Sequence, residues 1–177
     1  FGAAQRFVLG NRMSEILGQR PNHASRNFGE MSVLMRAGDY DIDLAPRDWG
    51  AFHFVSNVAY MPNSYLGYIR YGPAAQVVVP GGRKRDDYFI HLPAHGKCAT
   101  ENRVGNFVCK RGLGVISSPA GHVMRSEAGG GRITLSFSKS ALVGQLTALL
   151  GEPVDQPVEF DPELALTSGY GRSLASY

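Results

Sequence analysis

The chain has 177 residues, 44% of them apolar and 19% charged, the balance of an ordinary soluble globular protein with room for one well-formed core. Eighteen basic residues against fifteen acidic ones leave a net charge of +3, too mild to make a nucleic-acid surface by itself, though it leaves open a preference for small anions. No run of about 18 apolar residues occurs, which excludes a transmembrane helix. The N-terminal FGAAQRFVLGNRMSEILG lacks the charged, apolar, small-residue order of a signal peptide, so a cytoplasmic location is expected.

Residues 4–19 carry Phe7, Val8, Met13, Ile16 and Leu17 on a broad stripe, which predicts a helix ended by Gly18 and Pro21. Residues 22–29 read as loop, and residues 30–36 fit either a short helix or a strand. Residues 40–44 alternate Tyr40, Ile42 and Leu44 against Asp41 and Asp43, the pattern of a half-exposed strand. A turn at 46–50 carries Trp49, the chain's one tryptophan. Residues 51–60 form a strand, and 66–71 with 76–79 form a hairpin through Gly72-Pro73. The basic triplet Arg83-Lys84-Arg85 is followed at once by Asp86 and Asp87, so it reads as a solvated loop.

Residues 87–151 are the informative stretch. Short strands are expected at 87–92, 107–110, 115–118, 122–126 and 132–137, separated by Gly, Pro and Asn turns, with Gly129-Gly130-Gly131 as a hairpin turn. Such spacing, and 22 glycines in all, favours an antiparallel sandwich or barrel over βαβ units. In the last strand the alternation leaves two facings open. Either Ile133, Leu135 and Phe137 point inward, or Arg132, Thr134 and Ser136 do. Residues 140–150 predict a helix with Leu142, Val143, Leu146, Leu149 and Leu150 on one face, capped by Ser138 or Ser140 and stopped by Gly151. Pro153, Pro157 and Pro162 mark an extended segment, and a last helix begins at Thr167 or Ser168. The chain starts without Met and stops inside that helix, so it reads as a piece of a longer polypeptide.

Catalytic chemistry finds little support. His91 and His95 lie four apart with Pro93 between them, a spacing that does not face one way on a broken strand. His122 follows a turn but lacks the further ligands that catalytic metal needs. Ser117 and Ser118 lack a nucleophile elbow, and no phosphate-binding glycine loop is present. A hairpin turning at Arg103-Val104 would set Cys98 opposite Cys109, within reach of a disulfide. Without a secretory signal, two buried thiols are the expected state. No enzyme activity, metal or cofactor is expected. What remains is a pocket: Trp49, Tyr68, Tyr71 and Tyr88 offer aromatic surface with polar handles. Arg70, His91, His122, Arg125 and Arg132 offer charge and hydrogen bonds. Together they would suit an apolar, often aromatic ligand bearing a carboxylate.

The runs DYFIHLPAHGKC, NFVCKRGLGVISSPAGHVMRS and GRITLSFSKSALVGQLTALLGEPVDQPVEFDP resemble the N-terminal ligand-binding domain of AraC-type transcription regulators over residues 40–177. The resemblance implies a mainly β fold: a cupin-like antiparallel β-barrel, or double-stranded β-helix, with C-terminal helices. It divides the chain into an N-terminal arm (1–39), an effector-binding barrel (40–139) and a helical dimerisation and linker region (140–177). It implies a small-molecule effector inside the barrel, a homodimer through the C-terminal helices, and DNA contact only through a helix-turn-helix domain lying beyond this chain. Ligand would act by population shift, with residues 136–140 as the link between barrel and helix. Two other readings stay open: a metal-dependent small cupin enzyme, a dioxygenase or isomerase, needing His91, His95 and His122 to converge; and a plain interaction module.

Overall fold

Alternation of small or polar residues with bulkier ones builds two antiparallel sheets. The computed structural model describes residues 23–27, 29–31, 33, 43–46, 52–72, 75–79, 86–119, 122–127 and 129–176. One sheet has seven strands side by side: β1 (His23–Ser25), β3 (Phe54–Met61), β4 (Ser64–Tyr71), β11 (Gly131–Ser138), β6 (Asp87–His95), β9 (Leu113–Ser117) and β12 (Glu163–Ala165). The other orders β2 (Asp43–Pro46), β5 (Ala75–Val79), β10 (His122–Ser126), β7 (Cys98–Asn102) and β8 (Gly105–Cys109). The mainly β, antiparallel expectation holds.

The core lies between the sheets. Phe54, Ile69, Tyr71 and Val115 from the first meet Cys98, Cys109 and Met124 from the second, with Met31 and Phe52 added. The β7–β8 hairpin turns at Arg103-Val104, where the Asn102 carboxamide oxygen accepts from the backbone N–H of Val104 at 2.8 Å and of Gly105 at 3.1 Å. That turn sets the register, and Cys98 stands directly opposite Cys109. Both are buried free thiols. From β8 the chain crosses to the other sheet through the Lys110–Leu113 bridge, helped by Gly112 at φ 81°, a value glycine adopts without strain.

Helix α1 (Lys139–Leu150) follows β11 directly. Ser138 is extended, and its hydroxyl accepts from the Ala141 N–H at 3.2 Å. At the other end Gly151 is left-handed and its N–H donates to the Thr147 carbonyl. Both caps match expectation. Ser138→Ala is expected to remove about 1 kcal/mol of stability, read by chemical denaturation, because an orphan helix donor loses its acceptor. No residue of α1 is buried, and Leu149 and Leu150 are 72% and 63% exposed.

The proline-bearing segment after α1 is anchored to the sheet. The Tyr88 hydroxyl donates to the Val158 carbonyl at 2.7 Å. Phe160 meets the Tyr88 ring edge-on at 5.4 Å, while Phe137 stacks on it at 5.8 Å. The chain then pairs with β9 as β12, with Leu164 opposite Gly114. Helix α2 (Gly169–Ala175) packs against it. A side chain at Gly171 would collide with the Ala165 carbonyl, so glycine is what lets α2 sit this close. β1 and β12 both fall where the sequence reads as loop or linker. The expected helix at 4–19 lies outside the described residues.

Candidate functional site

The two facings of β11 separate cleanly. Arg132, Thr134 and Ser136 are buried, while Ile133, Leu135 and Phe137 are half-buried on the opposite face. Antiparallel register carries that inner face across the sheet, since directly paired residues point the same way. Thr134 pairs with His91 and Ser136 with Phe89 on β6. His91 in turn pairs with Val115 and Phe89 with Ser117 on β9. From the opposite sheet, His122, Met124 and Ser126 are the buried positions of β10, and Met124 pairs with the buried Thr100 of β7.

At the centre sits Arg132, 5% exposed. Its guanidinium carbon lies 5.1 Å from the centroid of the Tyr71 ring, and that ring tilts against Phe54 at 5.5 Å. Among the described residues no carboxylate pairs with it, and its Nε has no hydrogen-bond acceptor. Burial by itself opposes the charge, but Tyr71, Cys98 and Tyr65 offset that and hold the pKa above its ordinary value. A guanidinium stays charged in proteins. At the far end of β6, opposite Ser138, Asp87 is also buried and accepts from the Ser136 hydroxyl at 3.1 Å.

Two imidazoles complete the interior. The His91 and His122 rings meet edge to face at 5.5 Å. Phe89 stacks on His91 at 6.0 Å and meets His122 at 5.6 Å. His91 Nδ1 lies 3.2 Å from the Thr134 hydroxyl. Burial, then Arg132 and His122, push the His91 pKa well below the ordinary range, and burial with Arg132 lowers that of His122 to about 4. Both rings are therefore neutral at neutral pH, and Arg132 is the charge they face. His91 Nε2, both ring nitrogens of His122, the Thr100 hydroxyl and the Ser117 hydroxyl have no hydrogen-bond partner and are sealed from solvent.

Of the nine residues singled out in the sequence, Tyr71, His91, His122 and Arg132 converge here. Four others lie elsewhere. Tyr68 is buried on the reverse face, pairing in register with Ile133 and reaching His95 Nε2 at 3.3 Å. Arg70 is exposed beside it. Tyr88 holds the segment after α1. Arg125 points outward and pairs with Glu101 at 2.7 Å. Trp49 lies outside the described residues. His91 and His95 do part company: a bulge between Gly131 and Arg132 shifts the register, so His95 pairs with Gly131 and turns to the reverse face. Among the described residues, no group of three or more His, Cys, Asp or Glu is placed to hold a metal ion. Phe89, Thr100 and Thr134 were not singled out. Their signal was the two-residue period, which puts them on the Arg132 face only once register is known.

Two sheets enclosing a buried arginine and two neutral imidazoles define a cupin-like barrel, and solved structures share that fold. The AraC-like transcriptional activator CuxR superimposes with a TM-score of 0.60 at 15% identity, over 87% of this chain and 57% of that one. Ylba from E. coli gives 0.48 at 9% identity, over 71% and 52%. The Schizosaccharomyces pombe Cnp3 cupin domain gives 0.41 at 13%, over 65% and 79%. This chain thus spans just over half the length of CuxR. The profile of the AraC-binding-like domain matches residues 38–177, and the chain belongs to that family. Among curated proteins, none matches the sequence.

Proposed function

We propose that this chain is the effector-sensing part of an AraC-type regulator, and that a small organic acid binds between the sheets with its carboxylate on Arg132. The observation that carries this reading is the buried guanidinium that no carboxylate among the described residues pairs with. An uncompensated buried charge is costly, and a family of ligand-binding regulatory domains gives it a use. His91 and His122 complete the proposed site. Tyr68, Arg70, Tyr88 and Arg125 are left out of it because they face away.

The sealed interior supports a conformational mode of action. A ligand reaches these groups only if side chains or strands first give way, so binding selects a different arrangement of the barrel. Two routes lead outward. One runs from β11 into α1, where the Ser138 N–H donates to Asn63, the Lys139 N–H to Asp86, and Lys139 pairs with the Asp86 carboxylate at 3.6 Å. The other runs from His91 through Val115 of β9 to β12 and α2. The apolar, unburied face of α1 is the proposed homodimer contact, and a DNA-binding domain beyond this chain is the proposed output. Residues 1–39, 40–139 and 140–177 are then arm, sensor and linker of a cytoplasmic regulator. No helix among the described residues is long and apolar enough to cross a membrane.

Thermal unfolding against a panel of organic acids tests this. A true effector at a hundredfold excess over its Kd raises Tm by about 5–10 °C. A well-folded chain that no organic acid stabilises would sink the sensor reading.

A further inference from the structure

Among the described residues, Arg132 is the one buried lysine or arginine, and the buried carboxylate, Asp87, is held by Ser136. Around Arg132 lies a set of neutral polar atoms without hydrogen-bond partners. His91 Nε2, His122 Nδ1 and Nε2, Ser117 Oγ and Thr100 Oγ1 are the unsatisfied atoms, carried by side chains 0–4% exposed. Their chemistry is specific. A neutral imidazole offers one donor and one acceptor, and a hydroxyl offers both. Such groups are matched by ligand hydroxyls, which also donate and accept. They are not matched by a hydrocarbon, which would leave every one of them orphaned. Nor do they suit a second carboxylate, which would sit among groups carrying no positive charge.

Register gives the spacing. Arg132 pairs with Pro93, and the next inward row along the sheet is Thr134, His91 and Val115. Rows two residues apart are separated by about 6–7 Å. His122, meeting His91 at 5.5 Å, belongs to that second row, and Ser117 to the one beyond, opposite Phe89. His91, His122 and Ser117 therefore lie on one side of Arg132, beginning about six heavy atoms' length from it. Flat ring surface lies at both ends, Tyr71 against Arg132 and Phe89 against His91 and His122.

From this we infer that the site takes a hydroxylated monocarboxylate: an acid of about six to seven carbons whose carboxylate meets Arg132 and whose hydroxyls, at the far end, meet His91, His122 and Ser117. The inference rests on the sensor reading above. It goes further in excluding plain hydrocarbon acids, diacids and neutral polyols as the best ligands. Sugar acids and ring-hydroxylated aromatic acids share this chemistry, and matched pairs tell them apart.

Calorimetric titration of the 177-residue chain with two such sets is the test: gluconate against hexanoate, glucose and galactarate; 4-hydroxybenzoate against benzoate and terephthalate. In at least one set, the hydroxylated monoacid is expected to bind at least tenfold tighter than its deoxygenated, neutral and diacid counterparts. Ser117→Ala and His122→Gln should each cut that margin at least threefold. Ser117→Ala deletes only an unpaired hydroxyl, so it keeps the fold even where His122→Gln does not, and circular dichroism confirms each variant. If hexanoate or benzoate binds as tightly as its hydroxylated partner, the inference falls and the sensor reading stands. If galactarate or terephthalate binds tightest, a second cationic group must exist and the inference is equally overturned. If no acid of either set binds to folded protein, both fall.

Discussion

Arg132→Met is expected to make the domain more stable and blind to organic acids at once. Arg132 is buried, its Nε is unpartnered, and among the described residues no carboxylate compensates it. Replacing a buried charge by an apolar side chain of similar length often stabilises by 1–4 kcal/mol. Here the Arg132 guanidinium lies over the Tyr71 ring, and losing that contact returns about 1 kcal/mol. A net gain of up to about 3 kcal/mol remains, or up to roughly 10 °C in Tm for a chain this size. Affinity for a carboxylate ligand should fall at least about 30-fold, since truncating one partner of a buried charge pair costs about 2–5 kcal/mol. The opposite signs make the test sharp. Differential scanning calorimetry and titration on the same preparation decide it. A variant that loses more than about 2 kcal/mol of stability would show that Arg132 holds the core together.

Acid should unfold the domain early, with His122 as a main cause. In the folded state its pKa is about 4, against about 6.5 in an unfolded chain. Between those values the unfolded state binds a proton that the folded state refuses. Stability therefore rises with pH across this window and is fully present above about pH 6.5. It is lost as pH falls through 4, below which both states are protonated and the curve flattens. A shift of this size corresponds to about 3 kcal/mol. His91 is displaced in the same direction and adds to the loss. Denaturant midpoints measured from pH 7.5 to 4 should fall steeply in the native chain. In His122→Gln the slope should be visibly shallower. An unchanged slope in that variant would remove His122 from the account.

Much of this was legible in the residues, and the gaps have physical causes. The order of strands between Asp87 and Ser138, the β7–β8 hairpin and both caps of α1 follow from alternation, turn residues and Ser and Gly at helix ends. The facing of β11 did not. Arg132, Thr134 and Ser136 alternate as regularly as Ile133, Leu135 and Phe137. Composition alone would turn the polar set toward water, yet the polar set is the one inside. The first informative strand was expected to stop before Pro93. It continues to His95, because Pro93 stands at the bulge, where a missing N–H is tolerated. That bulge also sent His95 to the reverse face beside Tyr68, which no spacing in one strand could reveal. β12 was hidden by Pro162 just before it, since three residues of edge strand leave almost no pattern. Of the nine site residues, those that gather are the ones whose strands place them inward. Aromatic and basic character alone could not separate them from Tyr68, Arg70, Tyr88 and Arg125.

The sealing of the interior polar atoms bears on time as well as on affinity. For the proposed ligand, encounter at the surface is not the slow step, because the polar atoms proposed to meet it are sealed from solvent among the described residues. Association then falls below the usual 10⁵–10⁷ M⁻¹s⁻¹ for docking two ready surfaces. Its rate is set by how often the sheets part, and at high ligand concentration it stops rising. Departure waits on the same opening. Such a site averages over brief changes in ligand supply and answers to sustained ones.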